Sequence, residues 1–157
     1  MLDPETIADE LWGMAEIRPD AVVHRAVERI HQLRSENDWV GVYLLSGASL
    51  VLHSYIGADT ELLRIPVGKG ICGKTVAEAR DINVPDVYAF EGYLARDPET
   101  RSELVVLVRG GERVLGLIEV RSHAPAAFGQ GDEQAVKTIA DTLGVLLAPR
   151  LGGNPPS

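Results

Sequence analysis

Two adjacent segments near the carboxyl end are apolar on both faces of a strand, and this pattern constrains the fold more than any other feature. Residues 103–109 and 113–121 alternate with a period of two around a glycine turn, which predicts a β-hairpin. The first strand sets Leu104, Val106 and Val108 against Val105 and Leu107, and the second sets Val114, Ile118 and Val120 against Leu115 and Leu117. Strands that are apolar on both faces are covered on both faces. We therefore expect a sheet that is packed on its two sides.

The remaining patterns are typical of an α+β domain. Helical spacing of apolar residues covers 3–17, 21–35 and 132–148, with a shorter helix near 71–80. Strand patterns cover 39–45, 50–56, 62–67 and 82–84. Because hairpins dominate the connections, we expect a mostly antiparallel, six-stranded sheet with the helices on one face.

A long polar segment, 85–102, is the expected cover for the other face of the sheet. A connection of this length inside a compact domain is usually functional or disordered. The helices can cover only one face, so this loop is the candidate for the second. A sheet face beneath a loop forms a pocket, and we expect the pocket to bind a small polar metabolite.

Composition excludes several classes of function. The 157 residues carry a formal net charge of −8 and no basic run, so neither nucleic acid nor an anionic membrane is an expected partner. No window of the sequence is apolar enough for a membrane span. The first residues lack the pattern of a secretory signal, and Cys72 is the one cysteine, so we expect a cytoplasmic protein with a reduced thiol.

Polar and aromatic residues that interrupt the strand patterns are the candidate pocket residues. Trp39 and Tyr43 share a strand face with Gly41 between them, which predicts a hollow with aromatic walls. Three charged residues, Glu103, Glu119 and Arg121, stand at strand ends. The alternative is that the two rings belong to the core and the charges are solvated.

The segment 68–75 matches the phosphate-loop pattern G-x-x-x-x-G-K-[ST], but its surroundings argue against nucleotide binding. The following helix is short, no later strand supplies a magnesium-binding aspartate, and the flanking strands form hairpins. Cys72 lies in this turn, where a helix N-terminus would lower the pKa of a thiol and favour a nucleophile. The alternative is a buried, inert residue. No group of residues has metal-ligand spacing, so neither metal nor cofactor is expected.

The motifs together resemble a GAF domain. They are Trp39–Leu45, Arg64–Gly73, Ser102–Glu103, Gly116–Glu119 and Phe128–Glu133. More narrowly, they resemble the stand-alone GAF enzymes that reduce free methionine-(R)-sulfoxide, over residues 36–148. The resemblance implies N-terminal helices at 1–35, the GAF domain at 36–149 and a flexible tail at 150–157. It also implies helices behind the sheet and a ligand pocket in front.

The resemblance is incomplete at the residues that carry the family's chemistry. Those enzymes use three cysteines, and this chain keeps Cys72, with Leu62 and Arg96 at the other two positions. An acidic position on the last strand is retained as Glu119, and a second is replaced by Arg121. The implied ligand-binding set is Trp39, Tyr43, Arg96, Asp97, Glu103, Glu119 and Arg121. The added positive charges favour an amino-acid-like or carboxylate-bearing ligand.

Three functions remain open from the sequence. The first is a small-molecule-binding GAF domain of the sensor type, with a homodimer formed through the helices at 3–17 and 132–148. The second is a methionine-(R)-sulfoxide reductase that uses Cys72 and an external thiol, since one cysteine cannot both attack and resolve. The third is an interaction module with an empty pocket.

Overall fold

Six strands form one antiparallel sheet in the computed structural model, which describes residues 2–95 and 97–151. The strands are β1 (Trp39–Ser46), β2 (Ser49–Ile56), β3 (Arg64–Pro66), β4 (Ile82–Val84), β5 (Ser102–Gly110) and β6 (Arg113–Ser122). Their order across the sheet is β3-β2-β1-β6-β5-β4, and every neighbouring pair is antiparallel. The expected six-stranded, antiparallel α+β fold is confirmed.

Four α-helices accompany the sheet within the described residues. They are α1 (Pro4–Ile17), α2 (Val22–Leu33), α3 (Gly70–Glu78) and α4 (Gln130–Leu151). Helix α1 begins at Pro4 because the Asp3 side chain accepts a hydrogen bond of 2.8 Å from the Thr6 backbone N–H. A 3₁₀ turn, Pro19–Ala21, joins α1 to α2. Among the described residues, no helix is both long and apolar enough to span a bilayer.

Helices α1, α2 and α4 cover one face of the sheet. The cluster between them includes Ile7, Leu11, Ala26, Ile30, Leu104, Val106, Val108, Ile118, Val120, Ile139 and Leu143. These β5 and β6 residues share one face as expected, and that face packs on the helices. The expected faces of Val114 and Leu115 are wrong: Leu115 joins this cluster and Val114 the opposite one. The ladder skips Leu115, since Val108 pairs with Gly116 and Arg109 with Val114, and this irregularity reverses the alternation.

The other face of the sheet is covered by α3 together with the segment 85–101. Their cluster contains Trp39, Tyr43, Leu50, Ile65, Ile71, Cys72, Val84, Val87, Val105, Leu107 and Leu117. The loop was expected here, but the sequence did not place α3 beside it. The segment is not wholly irregular, because Val87–Ala89 forms a 3₁₀ turn capped by Asp86.

Two of the differences from the expected boundaries concern β3 and the end of α4. Strand β3 holds only Arg64–Pro66 of the predicted 62–67, and the Leu62 carbonyl accepts the Tyr43 hydroxyl at 2.7 Å. Helix α4 continues through Pro149 to Leu151, so the predicted tail does not begin at residue 150. Proline removes one helical N–H donor, and here the last turn forms without it. The rest of the predicted tail, 152–157, lies outside the described residues.

Helix α4 packs so closely on β5 that its Gly144 has no room for a side chain. A Cβ atom there would lie 1.9 Å from the Arg109 carbonyl oxygen, whereas one at Gly13 of α1 would have no neighbour within 4 Å. We expect Gly144→Ala to lower the free energy of unfolding by about 3 kcal/mol. The matched substitution Gly13→Ala should raise it by about 1 kcal/mol, because alanine favours helix. Urea denaturation measures both changes. Equal effects of the two substitutions would contradict the close packing of α4 on β5 at Gly144.

Candidate functional site

A narrow cleft lies between the sheet, the start of α3 and the segment 85–101. The free space inside it is about 20 Å³, room for about one water molecule, and rises to about 270 Å³ only when the open mouth is counted. Its lining residues are Leu62, Ile65, Lys69, Gly70, Ile71, Cys72, Tyr93, Leu94, Glu103, Glu119 and Arg121. Four of the predicted site residues therefore meet here: Cys72, Glu103, Glu119 and Arg121.

The sheet register brings the three charged residues together. Glu119 and Arg121 are two apart on β6 and so share a face, and Arg121 pairs with Glu103 of β5 across the ladder. The Arg121 Nε and Nη2 atoms donate to Glu119 Oε2 at 2.9 Å and Oε1 at 3.2 Å. Arg121 Nε also lies 3.9 Å from Glu103 Oε1. All three side chains are buried, with no more than 7% exposed.

The two carboxyl groups take opposite protonation states. Burial raises the pKa of Glu103 well above its ordinary value, and the neighbouring Glu119 charge adds to the effect. Burial also opposes ionisation of Glu119, but the Arg121 charge and hydrogen bonds from Glu103, Arg121 and Cys72 lower its pKa overall. Glu103 therefore keeps its proton and donates to the Glu119 carboxylate. The cluster is close to neutral, with one carboxylate facing one guanidinium.

Cys72 stands in the first turn of α3 and faces the same carboxyl pair. Its side chain is buried, and desolvation, followed by the Glu119 charge, raises the pKa of the thiol well above its usual value. The expectation that the helix N-terminus would lower this pKa is wrong, because burial beside carboxyl groups outweighs the helix field. The thiol is protonated at neutral pH.

Trp39 and Tyr43 lie beneath the cleft and do not line it. A Cβ atom at Gly41 would lie 2.3 Å from the Trp39 ring, so the ring itself fills the space above this glycine. The predicted hollow between two aromatic walls is therefore wrong. The Trp39 indole N–H donates to the Ala58 carbonyl at 2.9 Å, and the Tyr43 hydroxyl donates to the Leu62 carbonyl. Both rings belong to the core, and the Trp39 ring reaches the site by its contact with the Arg121 guanidinium.

Asp97 is also held away from the cleft. Its carboxylate accepts the Glu99 backbone N–H at 2.9 Å and the Thr100 hydroxyl at 3.3 Å. One of its oxygens lies 3.6 Å from His123 Nε2, so Asp97 fixes the turn of the loop against β6. The predicted role of Asp97 as a cleft residue is not what its contacts support. Arg96 lies outside the described residues.

Sequence reasoning missed the residues that form the roof and rim. Tyr93 and Leu94 come down from the loop, and Lys69 stands at the mouth. Leu94 packs against Gly70, whose φ of +65° and absent side chain admit the contact. A signal was available, since the run from 88 to 94 places three aromatic residues and a leucine in an otherwise polar loop. Such residues favour a loop that packs down on the domain.

A metal centre is the one cofactor site these residues could suggest. Among the described residues, ligand atoms of Cys72, Glu103 and Glu119 lie within 4.8 Å of one another. Both Glu119 oxygens, however, already accept hydrogen bonds from Arg121. A second cation would meet the guanidinium charge at close range. We therefore assign the cluster to hydrogen bonding rather than to a metal.

The phosphate-loop pattern at 68–75 has no nucleotide-binding geometry. The strands on either side are antiparallel, and the Thr75 hydroxyl donates at 2.8 Å to the Ile71 carbonyl within α3. This hydroxyl is the group that would hold magnesium in a true phosphate loop.

Comparison with known proteins settles the family. The model of the GAF domain matches residues 18–147, which includes α2 and begins earlier than the domain start expected at 36. The chain belongs to the GAF domain family. It is 31% identical to free methionine-R-sulfoxide reductase of Escherichia coli over 119 residues, 76% of this chain and 72% of that protein.

Two solved structures extend this relationship to the fold. The type II free methionine-R-sulfoxide reductase of Thermoplasma acidophilum superposes with a TM-score of 0.78 at 30% identity, covering 90% of this chain and 95% of that one. The reductase of Staphylococcus aureus in complex with substrate gives a TM-score of 0.82 at 25% identity, with coverages of 94% and 97%. This GAF domain is related to those enzymes.

The different charge states of Glu103 and Glu119 predict different effects of the same substitution. Glu103→Gln replaces a neutral donor and should change the free energy of unfolding by no more than about 1 kcal/mol near pH 5. Glu119→Gln leaves the Arg121 charge without its partner and should cost about 3–5 kcal/mol.

The pH dependence gives a second readout for the same pair. Because the folded pKa of Glu103 is raised, its contribution is fully present below 4.5, the ordinary glutamate value, and is lost as pH rises towards the folded pKa. The free energy of unfolding of Glu103→Gln should therefore rise relative to that of the wild type as pH increases. Urea denaturation at several pH values measures it, and a difference that does not vary with pH would contradict the assignment.

Proposed function

We propose that this chain is a small-molecule-binding GAF domain of the sensor type, with its ligand in the cleft beneath Tyr93 and Leu94. The observation that carries this proposal is the buried cluster of Glu103, Glu119 and Arg121 on the cleft floor. Buried charged groups are costly unless they are paired, and their presence at the base of a concave site favours ligand recognition. Relatives with the same fold have been solved with substrate bound, which supports a ligand-binding role for this domain.

The chemistry of Cys72 favours binding over reduction. Thiol reduction of a sulfoxide requires a thiolate to attack sulfur; the sulfide leaves, and the cysteine becomes a sulfenic acid. A second thiol must then form a disulfide with loss of water, and a third thiol equivalent must release the enzyme thiol. Cys72 is the chain's one cysteine, and its thiol is buried and protonated. The first step is therefore disfavoured, and the second needs an external reductant.

The ligand-binding proposal is tested with variants at the roof and outside it. Thermal denaturation of the wild type against a panel of small carboxylate metabolites should give at least one saturable stabilisation. Leu94→Asp puts a negative charge at the mouth and should weaken binding of that compound about tenfold. The matched control Leu63→Asp changes an exposed leucine outside the cleft lining and should leave the affinity within about twofold.

An unresponsive melting temperature across the whole panel would contradict the binding proposal. It would favour an interaction module whose pocket is empty.

Reduction of methionine-(R)-sulfoxide remains the second candidate, because the similarity to the Escherichia coli reductase is substantial and Cys72 lines the cleft. We expect no turnover with methionine-(R)-sulfoxide and dithiothreitol above the rate of Cys72→Ser, since the thiol is protonated. Methionine formation measured by chromatography checks this. Turnover in the wild type that Cys72→Ser abolishes would make the chain an enzyme and overturn the preference for binding alone.

A homodimer in the cytoplasm is the setting we propose for such a sensor. Helices α1 and α4 leave large apolar side chains exposed, namely Trp12, Ile17, Val145 and Leu151. Exposed apolar residues on adjacent helices favour association. Light scattering after size exclusion should give twice the chain mass for the wild type and the chain mass for Trp12→Glu with Val145→Glu. A monomeric wild type would contradict the dimer and leave the cleft proposal intact.

A further inference from the structure

The guanidinium of Arg121 is enclosed in the way that proteins enclose a free organic cation. Its carbon lies 4.1 Å from the centroid of the Trp39 ring. Both Glu119 oxygens accept from it, and Glu103 stands 3.9 Å away. An aromatic face with a bidentate carboxylate is a strong combination for binding a cation in a water-poor site.

The enclosure is built into the backbone around it. The Trp39 ring occupies its place only because Gly41 and Gly57 have no side chains: a Cβ atom would lie 2.3 Å from the ring at Gly41 and 2.6 Å at Gly57. The indole N–H is fixed by its hydrogen bond to the Ala58 carbonyl. The ring also stacks on Tyr55, with 5.7 Å between ring centroids and 17° between planes. These contacts together hold the face of the Trp39 ring against the Arg121 guanidinium.

We propose that Trp39, Glu119 and Glu103 form an organic-cation site that the chain fills with its own Arg121. Arg121 thereby determines ligand specificity. The cleft excludes any ligand that would place an ammonium or guanidinium group in the position of the Arg121 guanidinium. The part of a ligand that meets this end of the cleft is instead neutral or anionic. The statement about ligands rests on the proposed binding function, whereas the cation site itself does not.

Charge balance supports this exclusion. The Glu119 carboxylate is neutralised by Arg121, and Glu103 carries a proton. A second cation would find no free carboxylate oxygen on Glu119 and would lie beside the guanidinium in a poorly screened environment. Arg121 was expected to bind a ligand carboxylate through two parallel hydrogen bonds. Its Nε and Nη2 atoms already donate to Glu119, so Arg121 affects the cleft mainly by occupying the cation position.

Chemical rescue tests the site without knowledge of the natural ligand. Arg121→Ala removes the atoms that ethylguanidinium contains, so adding ethylguanidinium should restore the enclosed cation. We expect a saturable rise in melting temperature of about 4 °C at ten times the dissociation constant, and no such rise in the wild type. The matched control is Arg29→Ala. Arg29 also makes a bidentate pair, with Glu10 at 2.8 and 3.0 Å, but one that is only partly buried.

A double variant keeps the test decisive if Arg121→Ala is unfolded on its own. Glu119→Gln combined with Arg121→Ala removes both charges and should fold without an added cation and ignore ethylguanidinium. Refolding of the single variant by ethylguanidinium would support the proposal as strongly as a shift in melting temperature. A single variant that gives no saturable response, or a response equal to that of Arg29→Ala, would overturn it.

Matched compounds test the consequence for ligands. Methionine sulfoxide and 4-(methylsulfinyl)butanoate differ by one ammonium group, as do 4-aminobutanoate and butanoate. For any pair that binds the wild type, the member without ammonium should bind at least about tenfold more tightly, and Arg121→Ala should reverse the order. A wild-type preference for the ammonium-bearing member would overturn the exclusion. Rescue without any binding from the metabolite panel would instead count against the proposed function alone.

Discussion

The ion pair between Arg121 and Glu119 is the interaction on which the rest of the site depends. Both side chains are buried, and each would be costly to bury without the other. Because Arg121 satisfies Glu119, that carboxylate stays ionised. Burial, and after it the Glu119 charge, raises the pKa of Glu103 and of Cys72. The pair thus contributes to the protonation of both Glu103 and Cys72. A change at Arg121 would alter both together.

The fold makes this arrangement possible because the two faces of its sheet are covered differently. The helices α1, α2 and α4 seal one face of the sheet with aliphatic side chains. On the other face, α3 and the segment 85–101 leave a cleft whose floor is β5 and β6. Glu103, Glu119 and Arg121 lie on the face that the helices leave free. The cleft face can therefore carry charged groups that a fully sealed aliphatic core would not tolerate.

The sequence predicted the sheet well because its strands alternate clearly and are apolar on both sides. It also predicted that Glu103, Glu119 and Arg121 would meet, since two lie on one strand face and the third on the neighbouring strand. It could not predict the state of that cluster, because hydrogen bonding between Arg121 and Glu119 depends on side-chain geometry across the ladder. For the same reason Trp39 was expected at a cavity wall, whereas its ring lies over Gly41 and contacts Arg121.

Carboxyl-carbon NMR of the wild type during a pH titration tests the account most directly. With glutamates labelled and assigned by Glu103→Gln and Glu119→Gln, the Glu119 resonance should titrate below 4.5, the ordinary value, because its folded pKa is lowered. The Glu103 resonance should keep the shift of a protonated acid through neutral pH. Two resonances that both titrate near the ordinary value would show that these groups face water, and the buried, charge-balanced cluster would then not exist.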